Sequence, residues 1–213
     1  MPNRSYRRLL FALALVAFTA DQGSKYGMFN WLYGQGPAAR SYDGDEVNES
    51  YEQVVIPEWF SFHARYVKDG PACNCPLVRA NGPLPPAVNH GALWSLGGEF
   101  KTDANKFFAI VSLLAAVGIS LWAFLKRPTD RWLCVALGLI LGGTVGNLFD
   151  RIVFGGVRDF LRFHPFNFPI FNLADSCLVV GASLLLMQAL FGKHKAEPPT
   201  ATASEPAPQP PVA

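Results

Sequence analysis

The sequence lacks the residue patterns of several common catalytic and binding sites. Its histidines are scattered and none belongs to a His-Glu-x-x-His helix, so a metal-dependent peptidase is not indicated: His63, His90, His164 and His194. There is no glycine-rich phosphate-binding loop and no dinucleotide fingerprint. The net charge is only +2 and no basic stripe with interleaved aromatic residues occurs, so nucleic acid is not predicted as a partner.

Cysteine is also scarce, with four residues in 213. Cys134 and Cys177 fall in predicted helices, where cysteine usually acts as a small core residue. Cys73 and Cys75 share a loop, and a bond between residues two apart would be strained. We therefore predict no disulfide.

Hydrophobic residues, by contrast, make up 50% of the chain and lie in four separate runs: Leu9–Ala20, Phe107–Leu125, Trp132–Leu148 and Ile170–Phe191. A run of about 20 residues matches the roughly 30 Å hydrocarbon core at 1.5 Å per residue. The last three runs therefore predict membrane-spanning helices, and membrane lipid is a predicted partner.

The first run, Leu9–Ala20, is too short to cross a bilayer alone. It resembles the core of a signal peptide, but a cut after Ala20 would place bulky Phe18 where a small residue is needed. Apolar residues also resume at Tyr26–Tyr33. We therefore favour an uncleaved helix over Leu9–Tyr33, whose outer half carries Asp21, Gln22, Ser24 and Lys25.

Lysine and arginine near the helix ends predict the orientation, because they are enriched in cytoplasmic loops. They occur before the first helix, between the second and third, and after the fourth, which predicts that both termini are cytoplasmic. The exception is a set of three arginines on the predicted outer side: Arg151, Arg158 and Arg162. If they bind an anionic group or pair with carboxylates, the exception is functional rather than topological.

The predicted fold class is a polytopic α-helical membrane protein with four transmembrane helices and a small extracytoplasmic β-rich cradle. The predicted order is a cytoplasmic N-terminus with helix 1 (1–33), an extracytoplasmic subdomain (34–106), helix 2 (107–125), a cytoplasmic loop (126–131), helix 3 (132–150), an extracytoplasmic loop (151–169), helix 4 (170–191) and a disordered cytoplasmic tail (192–213).

Within the subdomain, Gln53–Ile56 and Phe60–Val67 have the composition of strands, and Gly91–Gly98 is rich in turn residues. The acidic stretch Tyr42–Glu52 is interpreted as a flexible surface excursion.

The third helix carries two residue patterns. Glycine recurs every fourth residue at Gly138, Gly142 and Gly146, which predicts close approach of a neighbouring helix. At the end of this helix, spacings of three and four residues predict a hydrogen-bonded set; the alternative is an interfacial anchor facing water: Asn147, Asp150 and Arg151.

Two further carboxylates, Asp159 and Asp175, are predicted at the same outer membrane boundary, on either side of a short connection. Two adjacent carboxyl groups cannot both ionise cheaply, so one keeps a proton while the other polarises a water molecule, as in aspartic proteases. Taken singly, Asp175 fits a helix N-terminal carboxylate and Asp159 a solvated loop residue.

A peptidase with a serine–lysine dyad is one alternative function. Ser24 and Lys25 do not form such a dyad, because adjacent helical side chains point about 100 degrees apart.

A non-enzymatic transporter or channel subunit is the second alternative. It would line an ion path with four polar residues: Asp21, Lys25, Asn147 and Asp175. That path would need polar groups in the inner half of the bundle as well, where almost none occur.

Five sequence blocks follow one another in order: Asp21-Gln22-Gly23-Ser24-Lys25, Asn89-His90-Gly91-Ala92, Gly142 through Arg151, Val157-Arg158-Asp159-Phe160 and Phe171-Asn172-Leu173-Ala174-Asp175. In these blocks the sequence resembles the lipoprotein signal peptidase (signal peptidase II) family, and the resemblance covers residues 6–192. It implies an intramembrane aspartic endopeptidase of the bacterial cytoplasmic (inner) membrane, with its site at the outer face. Its substrates and partners would be lipid-modified precursor proteins, cleaved before the lipidated cysteine, with no cofactor because water is the nucleophile.

The resemblance also implies roles for individual residues. Asp159 and Asp175 match the catalytic aspartates. Asn89, Asn147, Arg151 and Asn172 match residues that line the site, while Asp21 and Lys25 match a supporting pair whose spacing allows a salt bridge. The stretch between Lys25 and Asn89 is longer than usual in the family, with an insertion over residues 37–86, and we interpret this insertion as tuning access of precursors.

Overall fold

The structure is a computed structural model that describes residues 5–43, 46–67, 76–81, 84–91, 101–165 and 168–191. Over these ranges the elements, in chain order, are α1 (Arg7–Gly34), β1 (Ala39–Asp43), β2 (Glu46–Ile56), β3 (Phe60–Val67), α2 (Pro76–Arg79), α3 (Lys101–Lys126), α4 (Arg131–Phe154), β4 (Leu161–Phe163) and α5 (Leu173–Phe191). The predictions for Cys73, Cys75, most of Gly91–Gly98 and the C-terminal tail fall outside the described residues.

Three helices of the described chain are both long and apolar enough to cross a membrane: Asp103–Lys126 within α3, and the whole of α4 and α5. Helix α1 has 28 residues, or about 42 Å at 1.5 Å per residue, and carries Asp21 and Lys25 in its second half. A mostly helical membrane protein with a small antiparallel sheet is therefore confirmed as the fold class.

Helix α4 lies at the centre of the bundle because its glycines let two neighbours approach. A Cβ added at Gly142 would lie 2.5 Å from the Cβ of Ala17 in α1, and one at Gly143 would lie 2.5 Å from the carbonyl oxygen of Ala174 in α5. Gly138 and Gly146 also face α1. The predicted close-packing role of the glycine stripe is confirmed, with α1 as the partner helix.

The ends of α4 follow from local sequence. Asp130 caps its start, where its carboxylate accepts hydrogen bonds from the backbone N–H groups of Trp132 (2.8 Å) and Leu133 (3.1 Å). Gly155 ends the helix with φ +75°, a left-handed conformation that favours glycine. The helix thus runs to Phe154, four residues beyond the predicted end at residue 150, and Arg151 belongs to its last turn.

The four strands form one antiparallel sheet in the order β1-β2-β3-β4. The prediction of a flexible excursion over Tyr42–Glu52 is wrong for the described residues of this stretch, because Tyr42 and Asp43 end β1 and Glu46–Glu52 lies in β2. Pairing of β2 with β3 includes Glu49 opposite Tyr66 and Tyr51 opposite Ala64. Burial of Tyr51 between the sheet and α1 outweighs the acidic composition of this stretch.

One face of the sheet packs on the end of α1. The shared core consists of six buried side chains: Phe29, Leu32, Tyr51, Ala64, Tyr66 and Phe160. The ring of Tyr66 meets that of Phe29 edge-on at 5.6 Å, and its hydroxyl lies 2.8 Å from the carbonyl oxygen of Phe29. Because Phe160 belongs to this core, the sheet fixes the position of the residue that follows Asp159.

Candidate active site

Asp159 lies in the connection between α4 and β4. Two residues earlier, Val157 exchanges both backbone hydrogen bonds with Asn89, at 2.8 and 2.9 Å. Each oxygen of the Asp159 carboxyl group then accepts one amide N–H. The Asn172 side chain donates to Oδ1 at 2.7 Å and the Asn89 side chain donates to Oδ2 at 2.9 Å.

Asp175 is held by a reciprocal cap at the start of α5. The Asn172 side-chain oxygen accepts the backbone N–H of Asp175 at 3.0 Å, and Asp175 Oδ2 accepts the backbone N–H of Asn172 at 3.2 Å. This is the geometry of a capping box, with asparagine and aspartate in its two positions. The Asn147 side chain donates to the other carboxyl oxygen of Asp175 at 2.8 Å.

Asn172 therefore contacts both carboxyl groups, one through its side chain and the other through its backbone N–H. Burial, and next the neighbouring Asp175 carboxylate, raise the pKa of Asp159 to about 7, although hydrogen bonds from Asn89 and Asn172 oppose the rise. At neutral pH the pair can thus hold one proton and one negative charge, the arrangement that acid–base hydrolysis requires.

The structure brings Asn89, Asn147 and Asn172 into direct contact with the two aspartates. Arg151 lies beside them, donating from its Nη1 to the carbonyl oxygen of Asn147 at 3.3 Å. Its guanidinium also lies over the ring of Phe108, 5.5 Å from the centroid. Within the described ranges, the buried Nε of Arg151 has no hydrogen-bond partner.

Asp21 and Lys25 form the salt bridge that their spacing predicts, with Lys25 Nζ 2.8 Å from Asp21 Oδ2. Lys25 also lies 3.3 Å from Asp150 and donates to the Asn147 side-chain oxygen at 3.3 Å. The second oxygen of Asp21 accepts the backbone N–H of Ala174 at 2.9 Å. The pair therefore ties α1 to α4 and to the first turn of α5, next to Asp175.

The predicted hydrogen-bonded set of Asn147, Asp150 and Arg151 forms only in part. Arg151 donates to the backbone carbonyl oxygen of Asn147, but the other side chains bond to other elements: Asn147 to Lys25, Asn172 and Asp175, and Asp150 to Gln22, Lys25 and Arg158. Partners from neighbouring helices are better placed than those on the same helix surface. The alternative of a water-facing anchor is wrong for Asp150, which is fully buried.

Sequence reasoning did not assign Gln22, Asn81 or Arg158 to the site. The Arg158 guanidinium is buried and pairs with Asp150, with Nη2 2.8 Å from Oδ1. The one available signal was its position after the third apolar run, on the side that the sequence predicts to be poor in lysine and arginine; its pairing with a carboxylate meets the condition set for a functional role. Among the residues that the structure describes, no cluster of three or more His, Cys, Asp or Glu side chains could hold a metal ion.

Solved structures and sequence relatives agree with this architecture. Two structures described as a bacterial membrane enzyme, solved by the in meso method, align with TM-scores of 0.61 and 0.59. Both are 22% identical, and the first alignment covers 92% of this chain and 98% of the other. The chain therefore has the fold of these structures, and its two neighbouring, partly buried carboxyl groups are typical of aspartic peptidases.

The sequence profile described as signal peptidase (SPase) II matches residues 77–191, which include both aspartates. A lipoprotein signal peptidase of Pseudomonas aeruginosa (strain UCBPP-PA14) is 37% identical over 182 residues, covering 81% of this chain and 95% of that protein. One from Pseudomonas syringae pv. tomato (strain DC3000) is 30% identical over 202 residues, covering 92% and 95%. The chain belongs to the signal peptidase II family, and it is a peptidase.

Proposed function

We propose that this protein removes signal peptides from diacylglyceryl-modified lipoprotein precursors, cleaving before the lipidated cysteine, with Asp159 and Asp175 as its catalytic pair. The observation that carries the proposal is the double contact of Asn172, which holds the two carboxyl groups at one place. The relatives named lipoprotein signal peptidase support the substrate class.

The chemistry needs only water and the two carboxyl groups. The ionised carboxylate accepts a proton as the water oxygen attacks the carbonyl carbon of the residue before the lipidated cysteine. The protonated carboxyl group then supplies the proton that the departing amine needs when the C–N bond breaks. The products are a signal peptide with a new carboxyl terminus and a lipidated cysteine with a free amino group, so no cofactor is required.

Three asparagines set the geometry of this step. Asn89 and Asn172 fix the plane of the Asp159 carboxyl group, and Asn147 fixes that of Asp175. Arg151 lies beside them and carries a buried N–H group that has no hydrogen-bond partner among the described residues. Asp21 and Lys25 act one layer further away, because they hold Asn147 and the first turn of α5 in place.

The site also fits a placement in the membrane. Helices α1, α3, α4 and α5 would be the four spans, with both termini cytoplasmic and the sheet on the outer face of the bacterial inner membrane. The positions of lysine and arginine at the helix ends support this orientation. A lipid anchor on the substrate cysteine would then hold the scissile bond near the membrane surface, at the depth of Asp159.

The proposal is tested with purified protein in detergent and a diacylglyceryl-modified precursor, comparing wild type with Asp159→Asn and Asp175→Asn. General acid–base groups typically contribute 10²–10⁴-fold, so each variant is expected to lose at least about 100-fold in kcat. Asp103→Asn, at an exposed carboxylate near the start of α3, is the matched control and should cleave normally.

Thermal unfolding of each variant shows whether the protein is folded. If a folded Asp159→Asn or Asp175→Asn variant cleaves within tenfold of wild type, the two-aspartate mechanism is wrong. A folded wild type that cleaves no lipidated precursor would instead contradict the proposed substrate.

A further inference from the structure

Arg158 immediately precedes Asp159, and its side chain is fully buried. Nε and Nη2 of its guanidinium face the Asp150 carboxylate at 3.2 and 2.8 Å. Nη2 also donates to the Gln22 side chain at 2.7 Å, and Nη1 donates to Asn81 Oδ1 at 2.6 Å. The charge is paired and hydrogen-bonded at every side, as a buried arginine requires.

Aromatic rings complete the enclosure of this guanidinium. Its central carbon lies 4.0 Å from the ring centroid of Phe154 and 4.3 Å from that of Tyr26, within the range of cation–π contacts. One ring belongs to α4 and the other to α1. Arg158 is therefore held at a fixed position by two helices as well as by its hydrogen bonds.

This anchor acts directly on the backbone that carries Asp159. The backbone N–H of Arg158 donates to Asp150 Oδ2 at 2.9 Å. The backbone N–H and C=O of the preceding residue, Val157, both bond to the backbone of Asn89. Arg158 contacts α1 and α4, whereas the Asp159 carboxyl group contacts Asn89 and Asn172. The backbone is thus fixed at the two residues before Asp159.

Asn81 reaches the anchor from a distant part of the sequence. It follows α2 and lies within residues 37–86, the stretch that the sequence predicts to be an insertion. Its side chain is fully buried and its Nδ2 donates to the carbonyl oxygens of Leu77 (3.2 Å) and Val78 (3.1 Å). Its own carbonyl oxygen lies 2.8 Å from the hydroxyl of Tyr66. The side-chain oxygen is therefore presented to Arg158 in a rigid setting.

We propose that Arg158 is a positioning residue for Asp159, and that Asn81 completes its anchor, so that residues 76–81 are a working part of the peptidase site. This proposal rests on the proposed function, because it assumes that Asp159 carries out the chemistry. Without the Asn81 oxygen, Nη1 of Arg158 would be left without a partner in a buried place, and the guanidinium would shift to find one. The backbone at Asp159 would move with it.

The direct test replaces Asn81 alone. Asn81→Leu keeps the branching of the side chain and its neutral charge but has no hydrogen-bond acceptor, whereas Asn81→Asp keeps acceptor oxygens for Arg158 and adds a carboxyl group beside it. A catalytic group displaced by about 1 Å can cost up to about 100-fold in rate. For the smaller displacement expected in Asn81→Leu, kcat should fall about tenfold with KM within twofold of wild type, and Asn81→Asp should retain more activity than Asn81→Leu.

The pH profile separates positioning from a general loss of folded protein. Burial is the main cause of the raised pKa of Asp159, and a loosened Asp159 is better hydrated. In Asn81→Leu the decline of kcat at high pH should therefore begin at lower pH than in wild type. Loss of folded protein would instead reduce kcat equally at every pH.

Gln53→Leu is the matched control, because it replaces an amide side chain that is exposed on β2, donates to the carbonyl oxygen of Val54 and lies outside the anchor. It should keep the wild-type kcat and pH profile. The positioning role is overturned if Asn81→Leu has the wild-type kcat, or if it matches Gln53→Leu in both kcat and pH profile. If Asp159→Asn loses cleavage and Asn81→Leu cleaves as wild type does, the positioning role alone is rejected. If Asp159→Asn retains cleavage, the proposed function is rejected.

Discussion

The two ends of the helical bundle are built from different chemistry. At the end that carries the sheet, which we call the sheet end, four charged side chains are fully buried: Asp21, Lys25, Asp150 and Arg158. At the opposite end, which we call the far end, the core is apolar and includes Leu10, Ala14, Ala123, Cys134 and Leu141. The same helices, α1 and α4, supply residues to both ends.

The difference shows two ways of specifying contact between helices. Burying an ion costs several kcal/mol unless it is paired and hydrogen-bonded, so the sheet end depends on the identity of each partner. The far end depends on shape, because close approach requires the absence of side chains at Gly138 and Gly142. Substitutions should therefore destabilise the two ends for different reasons: an unpaired buried charge at the sheet end, and a steric clash at the far end.

The largest expected effect is at the sheet end. Lys25→Met removes the cation that lies between Asp21 and Asp150 and leaves two buried carboxylates with Arg158 alone. Breaking a buried ion pair from one side typically costs about 3–5 kcal/mol, so the free energy of unfolding should fall by about that amount. Denaturant unfolding in detergent measures it.

The double variant Asp21→Asn with Lys25→Met is the companion measurement, because it removes one charge of each sign. Asparagine keeps an oxygen for the backbone N–H of Ala174. It should recover part of the lost stability. A double variant as unstable as the sum of the two single variants would show that the charges do not act as a pair.

The next effect concerns the pH dependence of stability. The pKa of Asp159 is raised from 3.8 to about 7 in the folded protein, so between these values the folded state binds more protons than the unfolded state. Stability is then lost as pH rises from about 4 to about 7, by at most about 4 kcal/mol. Residue 159 cannot ionise in Asp159→Asn. The melting temperature of this variant minus that of wild type should therefore increase as pH rises over this range.

Melting curves of both proteins from pH 4 to pH 8 measure this difference. Parallel dependence of the two melting temperatures on pH would contradict a raised pKa at Asp159.

At the far end, Gly142→Leu should destabilise by about 1–3 kcal/mol, the usual cost of overpacking. Its Cβ would lie 2.5 Å from that of Ala17 and 2.6 Å from the carbonyl oxygen of Ala14, so α1 and α4 must separate. Gly118→Ala in α3 is the matched control, since a Cβ there meets no atom within 4 Å. Equal stability of Gly142→Leu and Gly118→Ala would refute the shape-based account of the far end.

The smallest effect is expected outside both cores. Lys106 and Asp103 are 3.8 Å apart, with about 70% of each side chain exposed. Exposed ion pairs contribute little, so Lys106→Gln should change the free energy of unfolding by less than about 0.5 kcal/mol. A loss comparable to that of Lys25→Met would mean that burial does not distinguish the two ion pairs.

The sequence predicted the parts of this architecture that are encoded locally. Runs of apolar residues marked the helices, the spacing of Asp21 and Lys25 predicted their salt bridge, and the glycine stripe predicted close helix packing. Contacts between distant residues could not be predicted in this way. Arg158 meets Gln22 and Asn81, which are 136 and 77 positions away, and no local periodicity connects them.

The same limit explains the error at Asp150. Helical spacing placed it with Asn147 and Arg151, but spacing does not show which other helix supplies a stronger partner. The acidic stretch Glu46–Glu52 was misread for a similar reason, since the tertiary contacts of Tyr51 decide its conformation. Composition alone carries no information about that burial.

The reciprocal cap between Asn172 and Asp175 links the folding of α5 to the orientation of the two carboxyl groups. The bonds that start α5 are also the bonds that orient both carboxyl groups. The proposed catalytic pair is therefore oriented only when the first turn of the last helix has formed against Asp21 of the first. In a chain that lacks this turn, the two carboxyl groups have lost the bonds that hold them together.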